Sequence, residues 1–250
     1  MIWNIASKEL KSLFYSPLAW SILAVIMLIL GYLFLGQLDL FLQVQARLIS
    51  MDGNPGLTET VVTPIFSNAA IILLLVMPLL TMRLISEELR SDTISLLFSA
   101  PVSMIEIILG KFTGILGFIL CILILTSLMP LSLLMGGTLD WGLLLSSYLG
   151  LFLLLASFAA AGLYVSTLTE QPTIAAVSTF GLLILLWVVD LTISLSGNTE
   201  SALTQISMLK HYQVFLGGMI DTRDVIYYLL FITTFLVLSV RRLDSYRLQH

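Results

Sequence analysis

The chain has 250 residues, of which 58 % are hydrophobic and only 10 % are charged, and its formal net charge is −4. A soluble domain of this size cannot hide that much apolar side-chain surface from water, so the composition excludes an ordinary soluble protein. Several stretches of about 18 or more apolar residues carry no charge, as is typical of transmembrane helices. We therefore predict an all-α protein that crosses a membrane repeatedly, with no basic patch for nucleic acid.

The first 16 residues have the pattern of an amphipathic helix that lies at a membrane surface. We expect this interfacial helix over residues 2–16, with one apolar side formed by Trp3, Leu10, Leu13 and Phe14. The polar side is formed by Asn4, Lys8, Lys11 and Ser12. Pro17 follows and suits the first turn of a helix, where its missing N–H costs nothing. No small-residue cleavage site follows the next apolar run, so we expect a retained first span.

The apolar runs predict six spans. Their expected bounds are residues 17–38, 65–82, 105–134, 141–168, 173–195 and 225–240. Pro78 and Pro130 fall inside two of these runs, where the helix either kinks or has neighbouring groups that satisfy the freed carbonyl. The last run is short for a full crossing, so the helix either begins earlier or lies in a thin region of the bilayer.

The positions of lysine and arginine predict the orientation, because the loops on the cytoplasmic side of a membrane protein are richer in both. Six spans place both termini on one side. With the termini inside, the inner segments hold eight of the basic residues and the outer segments hold three: Arg47, Lys210 and Arg223. We therefore predict that both termini, and the charged segment after the second span, are cytoplasmic.

No motif for catalysis or for a bound cofactor is found in the sequence. It lacks a GxxxxGK[ST] phosphate loop and an HExxH zinc motif. Its histidines, His211 and His250, are expected on opposite sides of the membrane, and Cys121 is alone. We therefore expect no enzyme activity of the chain itself, no cofactor and no metal. Asp190 has two open interpretations, a residue that lines a substrate path or one near the outer headgroups.

The segment from Met82 to Lys111 is charged and lies between two apolar runs. We predict a helix over residues 84–100 that turns Ile85, Leu89, Leu96 and Leu97 toward the membrane or the neighbouring spans. The opposite side would carry Glu87, Glu88, Arg90, Ser91, Asp92 and Ser95 into water. Pro101 ends the helix. This pattern fits either an ordinary solvated loop helix or a helix that docks on a partner. The later run GKFTG, with Gly110 and Gly114, has the spacing of close helix packing.

The segment MRLISEELRSDTISLLFSAPVSMIEIILGKF resembles the cytoplasmic coupling segment of type-2 ABC transporter permeases. The matching positions are Arg83, Glu87, Glu88, Arg90, Thr93, Pro101, Val102, Ser103, Gly110 and Lys111. Ser95 departs from the pattern, since the family often has an acid there. The resemblance covers essentially the whole chain, from KELKSLFYSPLAW to HYQVFLGGMIDTRDVIYYL. It is nearest to the permeases of gliding-motility systems and of nitrous-oxide-reductase maturation.

The resemblance implies a bacterial inner-membrane permease with two copies, or a copy and a paralogue, in each transporter. It also implies a pair of separate ATPase subunits that hold ATP and magnesium. These would dock on a coupling helix through Arg83, Glu87, Glu88, Arg90, Asp92, Thr93 and Pro101. A short hairpin between spans five and six would re-enter the outer leaflet, and a membrane-anchored subunit with a large external domain is a further expected partner.

Three functions are therefore weighed. The first is the permease subunit of an ATP-driven exporter. The second is a mechanical or assembly subunit that passes ATPase-driven motion to an external protein and transports nothing. The third, and weakest, is a membrane enzyme or an ion-coupled secondary carrier, which would need Asp190 for its activity.

Overall fold

The computed structural model describes residues 1–48, 58–91, 93, 102–135, 139–196 and 207–247, and side-chain surroundings for these except residues 44–48, 135 and 189–196. The described residues form helices and turns, with no strand among them. The α-helices are α1 (Ile2–Tyr15), α2 (Pro17–Leu48), α3 (Thr63–Thr81), α4 (Ser86–Arg90), α5 (Met104–Ser132), α6 (Trp141–Ser166), α7 (Pro172–Ser196), α8 (Met208–Leu216) and α9 (Thr222–Arg247). A π-helical turn, Thr58–Val62, leads into α3, and a 3₁₀ turn, Leu133–Met135, follows α5.

Five stretches of the described residues are long and apolar enough to cross a membrane. They are Pro17–Gln43, Thr58–Arg90, Met104–Ser132, Trp141–Ser166 and Thr222–Arg247. The chain is therefore a multi-pass membrane protein. The predicted fifth span coincides with α7, whose described apolar part, Pro172–Val188, is shorter than the other five. The last helix is longer than the predicted 225–240, since α9 begins at Thr222 and continues to Arg247.

Helix α6 is the centre of the bundle, because 72 % of its apolar window is buried, against 28 % for α2 and 22 % for α9. It packs against α3, α5, α7, α8 and α9. Its run of small residues, Ala159–Ala160–Ala161–Gly162, lets neighbouring backbones come close, which is how helices gain contact area in lipid. The outward faces of α2 and α9 keep large exposed apolar side chains, among them Leu28, Tyr32 and Leu230.

Neither internal proline ends its helix at once. α3 continues through Pro78 and ends at Thr81, where the Met82 N–H still donates to the Pro78 carbonyl over 3.0 Å. α5 continues through Pro130 to Ser132 before the 3₁₀ turn begins. The third predicted span, which we drew to residue 134, is thus α-helical only as far as Ser132.

The helices define two ends of the bundle. At the α4 end lie α1, α4, the start of α5 and the last turn of α6, joined by contacts described below. At the α8 end lie α8, the start of α6 and the Thr58–Val62 turn. Asp140 organises this second end, since its Oδ1 accepts from the Gly142 and Leu143 N–H groups while its own N–H donates to Thr58 Oγ1.

Helix α1 runs side by side with the first half of α5, in the same direction. A Cβ atom at Gly110 would lie 2.7 Å from the Ile5 side chain, and one at Gly114 would lie 2.8 Å from Glu9 Cβ. The two glycines therefore allow close helix packing, with α1 as the partner. The buried stripe of α1 is centred on Ala6, and Trp3, on the predicted apolar side, is 82 % exposed.

Candidate functional site

Helix α4 is held against the bundle by a buried serine that is far away in sequence. Ser166, at the end of α6, accepts hydrogen bonds from the Ile85 and Ser86 N–H groups, both at 3.0 Å, and donates to the Met82 carbonyl. The first N–H groups of a helix have no partner within the helix, so Ser166 takes the place of a local cap. The hydroxyl of Ser86 also donates to the Met82 carbonyl.

Helix α4 is amphipathic, with a buried apolar side and an exposed polar side. Leu84, Ile85 and Leu89 are buried in the apolar core, on the side predicted for Ile85 and Leu89. The exposed residues of this region are Arg83, Glu87, Arg90, Ser91 and Thr93. Most of the charge of the predicted docking surface therefore reaches solvent. Ser91 and Thr93 also share a hydrogen bond of 2.9 Å between their hydroxyls.

Glu88 is the exception, because it turns inward and pairs with Lys111. The Lys111 Nζ atom, on α5, lies 2.8 Å from Glu88 Oε1 and 3.4 Å from Glu9 Oε2, and it donates to the Leu84 carbonyl at 2.5 Å. The Lys111 side chain is 4 % exposed, while those of Glu9 and Glu88 are 19 % and 23 % exposed. We name these three residues the Lys111 triad. Through the Lys111 Nζ atom, the triad connects α5 with Glu9 of α1 and with Glu88 of α4.

A capping box determines the direction in which α5 leaves the charged segment. Ser103 Oγ accepts from the Glu106 N–H at 3.2 Å, and Glu106 Oε2 accepts from the Ser103 N–H at 3.1 Å. This reciprocal pair satisfies two backbone donors at the start of the helix. The spacing Ser103-x-x-Glu106 is visible in the sequence and could have marked the helix start. Nothing in the sequence, by contrast, links Lys111 with Glu9.

A cleft of about 780 Å³ opens between α4 and the turn that joins α6 to α7. Its lining residues are Met82, Arg83, Glu87, Arg90, Ser91, Gln171, Pro172 and Thr173. Two arginines, one glutamate and exposed polar groups give the cleft charges of both signs, and Arg is well suited to pair with carboxylates. The sequence analysis missed the contribution of the α6–α7 turn.

Three of the predicted site residues cannot be placed. Asp92 and Pro101, and the part of the predicted 84–100 helix after Arg90 apart from Ser91 and Thr93, lie outside the described residues. Asp190 lies in α7, but its side chain is also outside the described part. Among the residues that the structure describes, no group of three or more His, Cys, Asp and Glu side chains could hold a metal ion.

The α8 end holds an acid–histidine pair that the sequence analysis did not single out. His211 Nδ1 lies 2.5 Å from Asp224 Oδ1, and the His211 ring stacks on Tyr227. Tyr212 fastens α8 to α3 through a 2.9 Å hydrogen bond to the Phe66 carbonyl, and burial raises the pKa of its phenol. Ser146 Oγ on α6 donates to the Phe215 carbonyl. These contacts join α8 to three helices.

Ser166→Ala is expected to lower the free energy of unfolding by about 1–2 kcal/mol, the usual range for a lost helix cap. The Ile85 and Ser86 N–H groups would lose their acceptor in a buried place. The measurement is thermal unfolding of the detergent-solubilised chain, with tryptic cleavage after Arg83 and Arg90 as a local probe. Ser157→Ala is the matched control, since Ser157 is equally buried but donates only within its own helix. Equal stability of the two variants would contradict the cap.

A family model described as "ABC-2 family transporter protein" matches residues 3–245, which is nearly the whole chain. No curated protein sequence matches the chain at the significance that we required.

Proposed function

Because the chain belongs to the ABC-2 family of transporter proteins, we propose that it is the membrane permease subunit of an ATP-driven exporter and docks a separate ATPase on α4. The observation that carries the proposal is the shape of the α4 end. Glu87 and Arg90 of this short helix, and Arg83 in the turn before it, are exposed to solvent while the other side of the helix is fastened to the bundle.

These contacts support a path by which movement of α4 reaches the other helices. When ATP binding closes the ATPase pair, α4 moves with the surface on which it docks. Ser166 passes that movement to α6, and Lys111 passes it to α5 and, through Glu9, to α1. Packed helices change position as bodies rather than stretch, so a shift at α4 changes how the spans sit against one another. The chain itself contributes no catalytic residue, and ATP and magnesium are held by the partner.

The proposed function also implies a span count, an orientation in the membrane and a second permease copy. α7 is the fifth of six spans, both termini and α4 face the cytoplasm of a bacterium, and the chain lies in its inner membrane. Residues 86–90 are the described helical part of the coupling segment, and Ser91 follows them as the C-cap. α8 and the turn at Gly217–Gly218, where Gly218 has a φ of +79°, form the returning half of a re-entrant outer hairpin. Two permeases, identical or paralogous, enclose the path.

A mechanical role is the second candidate. The exposed apolar residues Met219 and Ile220, beside the hairpin turn, offer a contact for an external or membrane-anchored subunit. The gliding-motility and nitrous-oxide-reductase-maturation branch would use such a subunit. ATPase activity in lipid vesicles distinguishes the two functions. Stimulation by a substrate supports transport, and stimulation only by a protein partner supports the mechanical role.

Arg83→Glu with Arg90→Glu is expected to abolish co-purification with the co-expressed ATPase subunit. Both side chains are exposed and line the cleft beside α4. An ATPase surface that is complementary to two arginines would repel two glutamates at the same positions. The control is Arg241→Glu with Arg242→Glu, which makes the same charge change on exposed residues of α9. Retention of the ATPase by the first variant, or equal loss in the control, would contradict docking on α4.

A further inference from the structure

The outward face of α1 carries positive charge with no acid to balance it. Lys8 and Lys11 are exposed, and neither has an ion-pair partner among the residues that the structure describes. The only acid in α1 is Glu9, and it points inward to Lys111. The Lys111 triad thereby directs the carboxylate of α1 away from this face.

The two lysines lie in a continuous polar stripe. A shallow groove of about 610 Å³ runs along α1 and is lined by Asn4, Ser7, Lys8, Lys11, Ser12 and Tyr15. These positions are spaced by three or four residues, so they form one side of the helix, opposite the stripe centred on Ala6. Hydroxyl and amide groups beside two ammonium groups are the donors that a phosphate oxygen accepts from.

The aromatic residues around the stripe indicate the depth at which it lies. Tyr15, at the end of α1 next to the first span, is 85 % exposed, and Trp20 is exposed in the first turn of that span. Tryptophan and tyrosine collect at the headgroup level of a bilayer, where the ring is partly apolar and one end is polar. Lys11 precedes Pro17, the start of the span, by six residues. Lys8 precedes Pro17 by nine residues, so the two lysines lie about 9 and 14 Å from the start of the span along the helix axis, and their long side chains can extend toward the headgroups.

We propose that Lys8 and Lys11 of α1 bind the phosphate of an anionic phospholipid headgroup such as phosphatidylglycerol. The depth and the aromatic residues favour a lipid over a protein partner, because a docking ATPase would have to enter the headgroup layer to reach the stripe. This inference rests on the proposed function in one respect only, namely which leaflet of the membrane supplies the lipid. Each lysine near an anionic surface strengthens association by about fivefold.

Quenching of tryptophan fluorescence by brominated lipids gives a local test in the full-length chain. The reporter chain has Trp141→Phe and Trp187→Phe, so that only Trp3 and Trp20 emit. It is reconstituted in vesicles of phosphatidylglycerol and phosphatidylcholine in which one lipid has brominated acyl chains. The expected result is a binding constant for phosphatidylglycerol up to about 25-fold that for phosphatidylcholine, the product of two fivefold contributions, falling to near one with Lys8→Gln and Lys11→Gln.

Three comparisons make the outcome decisive. Lys8→Arg with Lys11→Arg keeps the preference. Lys210→Gln with Arg223→Gln, which removes two exposed cations at the α8 end, keeps it as well. Equal quenching by both lipids in the reporter chain, or an equal loss in the α8-end variant, would overturn the proposal. So would a glutamine variant that keeps the lipid preference but loses the co-expressed ATPase, since the stripe would then be a protein-docking surface.

Discussion

Replacing Lys111 with methionine is expected to lower the free energy of unfolding by about 2–4 kcal/mol. Removing one partner of a fully buried ion pair costs about 3–5 kcal/mol, because a charge is left without compensation. Here the estimate is lower, since Glu9 and Glu88 keep partial contact with water. The Leu84 carbonyl also loses its donor. The measurement is thermal unfolding of the detergent-solubilised chain, with Lys210→Met as the exposed control.

A triple variant separates folding from transmission of force. Replacing Lys111 by Met together with Glu9→Gln and Glu88→Gln removes every charge of the triad, so no unpaired charge remains and most of the stability should return. If the triad passes movement from α4 to α1 and α5, this stable variant should still bind the ATPase. The ATPase activity of the complex that contains this variant should no longer respond to a substrate or to an external partner. A triple variant that unfolds as readily as Lys111→Met would show that packing, not charge, determines the effect.

Gly162→Ala is expected to destabilise the chain by about 2–3 kcal/mol, although alanine is the better helix former. Gly162 lies where α6 crosses α3, and a Cβ atom added there would lie 2.7 Å from Thr81 Cβ. Thr81 is fully buried and donates to the Met77 carbonyl, so its side chain has no free space to enter. The two helices would have to separate near the α4 end of the bundle. Thermal unfolding measures the change.

Gly181→Ala is the matched control for this prediction. It is the same substitution within an α-helix, but no atom outside its own helix backbone lies within 4 Å of the added Cβ. The control should gain up to about 1 kcal/mol from the higher helix propensity of alanine. Adding Thr81→Ala to Gly162→Ala removes two of the three nearest atoms and should recover part of the loss. Two glycine variants with the same sign of effect would contradict the close approach of α6 and α3.

The charged segment shows which side-chain positions helical periodicity can predict and which it cannot. Helical periodicity placed Ile85 and Leu89 against the bundle and Glu87 and Arg90 in solvent, as the structure does. It placed Glu88 in solvent as well, whereas that side chain is only 23 % exposed and pairs with Lys111. Periodicity describes one helix at a time, whereas the direction of Glu88 is decided by Lys111, which lies on another helix. Ser166 was missed for the same reason.

The all-helical, membrane-spanning character of this protein was determined by the sequence alone, because long uncharged runs can satisfy their backbone groups in lipid only as helices. The same holds for the amphipathic nature of α1 and α4 and for the small residues that permit close packing. Tertiary structure alone decided which helices meet: Gly110 and Gly114 receive α1, and α6 lies at the centre. It also decided which charges pair inside and which stay outside. Those choices depend on distances between residues as far apart as Glu9 and Lys111, to which no local pattern is sensitive.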